Sequence, residues 1–179
     1  MRFALPVMTT LLLLSGAVTG LSVAQAADSV HGTLIGPEGK PHGTVTVTEA
    51  PRGVIVRVVA EGLPPGWHGM HFHETGACTP PGFTSAKGHV HHVTPVIHGF
   101  MTPHATDDGD LPNLHVDRNG AATVELYSTL VSLHGTDGRP ALEDADGSAL
   151  VIHARPDDYT TQPIGGSAGR IACAVLKGQ

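Results

Sequence analysis

Short stretches of period-two hydrophobic alternation, each closed by turn-forming residues, recur along this 179-residue chain, and no segment makes a persuasive helix of more than two turns. Gly43-Thr-Val-Thr-Val-Thr48 alternates strictly. The run from Gly53 to Val59 is β-branched, with Arg57 interrupting one face, and Gly69-Met-His-Phe-His73 alternates again. Asn113 to Val116 and Ala121 to Tyr127 flank Asp117-Arg-Asn-Gly120, which reads as a hairpin turn. Leu150 to His153 and Arg170 to Leu176 are apolar runs suited to buried strands. With 23 glycines and 14 prolines to supply turns, the pattern predicts one all-β domain, an antiparallel sandwich or barrel. Two segments break the rhythm, Thr75 to Leu111 and Asp157 to Gly169. Long loops in a compact domain usually carry function.

The N-terminal residues read as an export signal. Arg2 supplies the positive start, Val7 to Val23 is apolar, and Ala24-Gln25-Ala26 is a small-x-small cleavage site. The expected division is a signal peptide over 1–26 and a mature domain over 27–179, in the periplasm or secreted, with no membrane attachment after cleavage. Removing Arg2 from the 10 Lys and Arg leaves 9 against 16 acids, a net charge of −7. That balance excludes an ordinary nucleic-acid binder, which would show a basic patch. In an oxidising compartment Cys78 and Cys173 are most simply one disulfide; two unpaired buried thiols are the alternative.

The 13 histidines turn the question to coordination chemistry. His71 and His73, two apart on a predicted strand, project from one face. His89, His91, His92, His98 and His104 follow, then Asp107, Asp108 and Asp110. His153 lies on a separate apolar strand, where a hydrogen-bonded core imidazole is the bland reading. Imidazoles favour copper and zinc, and a carboxylate beside three imidazoles still suits zinc. No nucleophile elbow, Walker motif or dinucleotide fingerprint is present.

Five separated strings occur in the order of a known family. They are Gly62-Leu-Pro-Pro-Gly-Trp-His-Gly-Met-His-Phe-His-Glu74, Phe83-Thr-Ser-Ala-Lys-Gly-His89, Gly109-Asp-Leu-Pro-Asn113, Val151-Ile-His-Ala-Arg-Pro-Asp-Asp-Tyr159 and Gly165-Gly-Ser-Ala-Gly-Arg-Ile-Ala-Cys173. Over roughly residues 43–178 the chain resembles the Cu,Zn superoxide dismutases of the exported bacterial kind. The resemblance implies a Greek-key antiparallel β-barrel of about eight strands with two long functional loops. It implies conversion of superoxide to dioxygen and hydrogen peroxide by one-electron cycling of a His-ligated copper beside a zinc.

By the same resemblance, His71, His73 and His153 are expected to bind copper, and His89 to bridge copper and zinc. His98, His104 and Asp110 are expected to complete the zinc site, and Asp157 to link ligands of the two metals. Arg170, helped by Lys87 and Arg155, is expected to attract the anionic substrate; Arg170 and His89 are the expected catalytic residues. Cys78 and Cys173 match the family's disulfide. The zinc loop departs from the pattern: His91 and His92 stand where Asn-Pro is usual, and the middle ligand is displaced. His104 lies in the better-matching local string, Asp107 occupies the position that the usual gap from His98 selects, and His91 or His92 could also serve. His31, His42, His68, His115 and His134 read as surface or structural residues. A non-catalytic metal-binding protein on the same fold and a copper-only dismutase are the alternative functions. A homodimer is an open expectation, since no dimer surface can be read from one chain.

Overall fold

The computed structural model describes residue 1 and residues 28–178, so apart from Met1 the export signal lies outside the described residues. Eight strands follow in chain order: β1 (Ser29–Ile35), β2 (Pro41–Ala50), β3 (Gly53–Ala60), β4 (Gly66–His73), β5 (Asp110–Val116), β6 (Ala122–Ser128), β7 (Ser148–His153) and β8 (Arg170–Leu176). They form one antiparallel sheet in the order β5-β4-β7-β8-β1-β2-β3-β6. The two end strands, β5 and β6, are consecutive in sequence and meet through one tight turn, so the sheet curls into a nearly closed barrel. Neighbours β3 and β6, β4 and β7, and β8 and β1 are not consecutive in the chain, and the connections from β3 to β4 and from β6 to β7 cross over in Greek-key fashion. Among the described residues, no helix is long and apolar enough to cross a membrane.

Two details differ from the sequence reading. Strand β1 was not expected, because Gly32 and His31 interrupt its few apolar residues. Its alternation is nevertheless real: Val30 and Leu34 are buried while Ser29, His31 and Thr33 are exposed. Gly32 belongs there because a Cβ would meet the Val175 carbonyl oxygen of β8 at 2.4 Å. The second difference concerns Asp117 to Gly120. The turn forms, with Asp117 N–H donating to Ala121 O and Gly120 N–H to Asp117 O. The strands it joins, however, ladder with β4 and β3 rather than with each other. Turn chemistry fixes a reversal but not the partner, which barrel closure decides.

The barrel interior is apolar. Val45, Val47, Val56, Phe72, Leu150 and Ile152 are fully buried in one cluster. Period two then sets what faces outward. Met70 and Phe72 of β4 fill the core, so His71 and His73 must project from the opposite face. On β7, Leu150 and Ile152 point in, while Ala149 and Val151 point out, yet all six residues of β7 are buried. A second apolar cluster of Phe83, Ala86, Ala149, Val151 and Cys173 accounts for this. It docks the short 3-10 turn Thr84–Ala86 of the long loop onto the outer face. Burying a side chain such as Phe83 contributes about 1.5–3 kcal/mol. The Cys78–Cys173 disulfide ties the same loop to β8. The barrel thus offers a rigid outer face, and two loops roof it.

Candidate metal centre

Four imidazoles from three pieces of chain converge beneath the roof. His71 and His73 come from β4, His153 from the end of β7, and His89 from the loop, where it bridges back to His73 as an isolated strand pair. Register brings the first pieces together, with Met70 opposite Ile152 and His71 opposite Val151. A register shift between Ile152 and His153 then swings the latter toward Arg170. Ring centroids of His71 and His89 lie 4.0 Å apart, and those of His71 and His153 4.8 Å. One ligand atom from each of His71, His73, His89 and His153 lies within 4.8 Å of the others, and all four residues are buried.

Each ring is oriented by a bond through one nitrogen. His71 Nε2 stands 2.7 Å from Asp157 Oδ2, His73 Nδ1 2.9 Å from Lys87 O, and His153 Nδ1 3.1 Å from Ala168 O. The opposite nitrogens are buried and without a partner: His71 Nδ1, His73 Nε2, His89 Nε2 and His153 Nε2. Four orphaned buried nitrogens facing one another are costly unless a cation lies between them. Copper or zinc fits that donor set. Burial, the largest influence, holds the pKa of His71 below its usual range, that of His73 well below it, and that of His153 down at about 3. These rings are therefore neutral and ready to ligate at neutral pH.

A second group meets on the far side of His89. His71, His89, His98 and Asp110 each offer a ligand atom within 4.8 Å of the others. His71 joins through Nε2, which Asp157 already occupies. Asp110 Oδ1 lies 2.8 Å from His98 Nδ1 and 3.7 Å from His89 Nδ1, while its other oxygen accepts from Gly99 N–H at 2.8 Å. Asp107 Oδ2 lies 2.6 Å from His89 Nδ1 and 3.0 Å from His98 Nδ1. Burial opposes charge on these two imidazoles, but the carboxylates outweigh it: His89 is raised, and His98 is pushed up to about 11. Asp107 is held well below the usual carboxylate range by the same contacts, against its own burial.

Asp157 joins the two groups. Its Oδ1 lies 3.1 Å from His98 Nε2 while Oδ2 holds His71. Asn113 Oδ1 accepts from Asp157 N–H, and Asn113 Nδ2 donates to Asp157 O. Gly165, at φ +59, leaves room for this carboxylate: a Cβ there would meet Asp157 Oδ1 at 1.7 Å.

A cleft of about 280 Å³ opens onto His73, His89 and His153, and among the described residues Arg170 is the one Arg or Lys lining it. The Arg170 guanidinium donates to Phe83 O and Lys87 O, so the docked loop aims it. Lys87 and Arg155 do not line the cleft.

The other expectations fall as follows. His104 is exposed, with φ +60, and belongs to neither group. His91 Nδ1 bonds His89 O, and His92 Nδ1 bonds Asp108 Oδ2 at 2.5 Å, so both serve the loop. His68 is buried between His153 O and Pro64 O. Sequence reasoning assigned no role to Gln162, whose amide clamps the backbone of His98 through both N–H and C=O. It also gave none to the carbonyls of Phe83 and Lys87. Contacts between two irregular loops leave no periodic signal.

The family described as copper/zinc superoxide dismutase (SODC) matches residues 41–176. A "Superoxide dismutase [Cu-Zn]" of Caulobacter vibrioides is 57% identical over 140 residues, covering 78% of this chain and 80% of that protein. A "Superoxide dismutase [Cu-Zn] 2" of Aquifex aeolicus is 36% identical, covering 92% and 96%. Among solved structures, a double mutant of a SOD-like protein from Bacillus subtilis superposes with TM-score 0.77 at 39% identity, covering 83% and 97%. The Cu/Zn superoxide dismutase from Brucella abortus gives 0.67 at 28% identity, covering 83% and 99%.

Proposed function

The chain belongs to the copper/zinc superoxide dismutase family, oxidoreductases that use copper and zinc, and from that premise we propose which of its residues do the work. His71 Nδ1 and the Nε2 atoms of His73, His89 and His153 hold copper. The single observation that carries this is their orphaned convergence. His89 Nδ1, His98 Nδ1 and Asp110 Oδ1 contribute to zinc, so that His89 is shared. Copper, when bound, supplies one-electron exchange with superoxide, yielding dioxygen and hydrogen peroxide.

The chain's own residues supply the rest. His89 has two nitrogens on opposite sides of one ring, so Nε2 can hold a proton at the cleft while Nδ1 stays fixed. Arg170 attracts the anion locally, which the chain's net charge of −6 does not do globally. Its guanidinium keeps its charge at any working pH, although burial lowers its pKa somewhat. Asp157 fixes the tautomers of His71 and His98 together. Export to the periplasm is part of the reading; the apolar leader ending at Ala24-Gln25-Ala26 and the disulfide support it.

The test is superoxide removal by protein reconstituted with copper and zinc. The expected result is rapid dismutation with one copper and one zinc per chain. Activity no greater than that of the same copper free in buffer would contradict it.

A further inference from the structure

Among the zinc-side residues, Asp107 has a geometry that a supporting role does not explain. We infer that Asp107 is a direct zinc ligand, completing a site of two imidazoles and two carboxylates in place of a third imidazole. The inference rests on the zinc assignment above and specifies its fourth donor.

Ligand atoms on a tetrahedral zinc, about 2.0–2.2 Å from the ion, sit roughly 3.3 Å from one another. The four separations between the two nitrogens and the two carboxylate oxygens bracket that edge. Asp107 Oδ2 is 2.6 Å from His89 Nδ1 and 3.0 Å from His98 Nδ1; Asp110 Oδ1 is 3.7 and 2.8 Å from the same atoms. The two carboxylates are also mounted alike. Each turns one oxygen to a backbone N–H, Asp107 Oδ1 to Gly109 and Asp110 Oδ2 to Gly99. Each points the other at the two imidazoles. Both side chains are buried, at 0% and 2% exposure, and Asp110 Oδ1 is an orphaned acceptor aimed into the same space.

An outer-shell role requires the imidazole to donate a proton to the carboxylate. If His89 and His98 bind zinc through Nδ1, those nitrogens carry no proton. Asp107 Oδ2 would then face two lone pairs at hydrogen-bond distance. Only a shared cation makes that arrangement favourable. The alternatives are engaged elsewhere or absent: His91 and His92 bond within the loop, and His104 is exposed. With two carboxylates the site is one unit less positive than with a single carboxylate and a neutral third imidazole.

Zinc K-edge X-ray absorption on the copper- and zinc-loaded wild-type protein tests this without any variant. Imidazole rings give outer-shell scattering that carboxylates do not. Two rings per zinc with two light oxygen donors is the expected result; three rings would overturn the inference while leaving the zinc assignment standing. A second site that takes up no zinc would overturn both. Chelator competition adds a second reading. Asp107→Asn should weaken zinc by more than the 10–100-fold typical of an outer partner, with copper uptake retained, and Asp107→His should restore binding with a third ring. His104→Ala, at an exposed position, should leave zinc affinity unchanged; loss of zinc in that variant would overturn the inference.

Discussion

Nε2 of His71 stands 2.7 Å from Oδ2 of Asp157, both side chains fully buried, and the other oxygen of the same carboxylate reaches His98 at 3.1 Å. One side chain therefore orients a ring in each of the two ligand groups. Asp157→Asn keeps the shape but can satisfy the two rings only by reversing a tautomer. The expected outcome is a loss of about 10–100-fold in affinity for both metals, read by chelator competition. Loss confined to one metal would break the proposed link.

Arg170 is aimed by two carbonyls of the docked loop at the mouth of the cleft. Arg170→Ala should lower kcat/KM by about tenfold or more at low ionic strength, with copper content unchanged, and should flatten the salt dependence of the rate. Arg170→Lys should recover part of the rate. Second-order rates equal to wild type at low salt would remove the steering role.

The disulfide closes a sequence separation of 95 residues between the loop and β8. Chain-entropy arguments give such a crosslink about 4–5 kcal/mol. Reducing it, or replacing Cys78 and Cys173 with serine, should cost metal-free protein about that amount in denaturant unfolding. Because the same loop places Lys87 O against His73, copper affinity should also fall. Unchanged copper affinity in the double variant would show that the Phe83 and Ala86 packing positions the loop unaided.

Acid should destabilise the metal-free protein, and the sign follows from the buried rings. His71 and His73 are held below the ordinary 6.5, and His153 lies at about 3, chiefly by burial. Below 6.5 the unfolded chain takes up protons that the folded rings refuse, so stability falls from about pH 6.5 toward 3. His98, at about 11, does not oppose this, since it is protonated in both states below 6.5. Asp107 and Asp157, both depressed, add further loss below their usual 3.8. Thermal unfolding should show Tm dropping steadily between pH 6.5 and 4; a flat profile would contradict neutral buried rings.

Of the four converging imidazoles, period-two alternation fixes the shared face of His71 and His73, whereas the apolar run alone made His153 a core imidazole and only the family resemblance marked it and His89 as ligands. The zinc side was harder to read. Residues 90–108 have no repeating geometry, so spacing alone could not choose among His91, His92, His104 and Asp107. What places Asp107 and His98 is a bond from Gly109 N–H only two residues beyond Asp107, together with the Gln162 clamp on His98, which comes from a loop 64 residues further along the chain. Strand β1 was missed for a related reason: its place depends on close approach to β8 at Gly32, which a hydrophobic pattern does not record.

Anomalous diffraction from crystals of the copper- and zinc-loaded protein, recorded at both absorption edges, tests the central assignment most directly. The predicted result is a copper peak among His71 Nδ1 and the Nε2 atoms of His73, His89 and His153, with a zinc peak across the His89 ring. A copper peak that leaves any of those four nitrogens unligated in the oxidised protein, or a zinc peak away from His98 and Asp110, would contradict it.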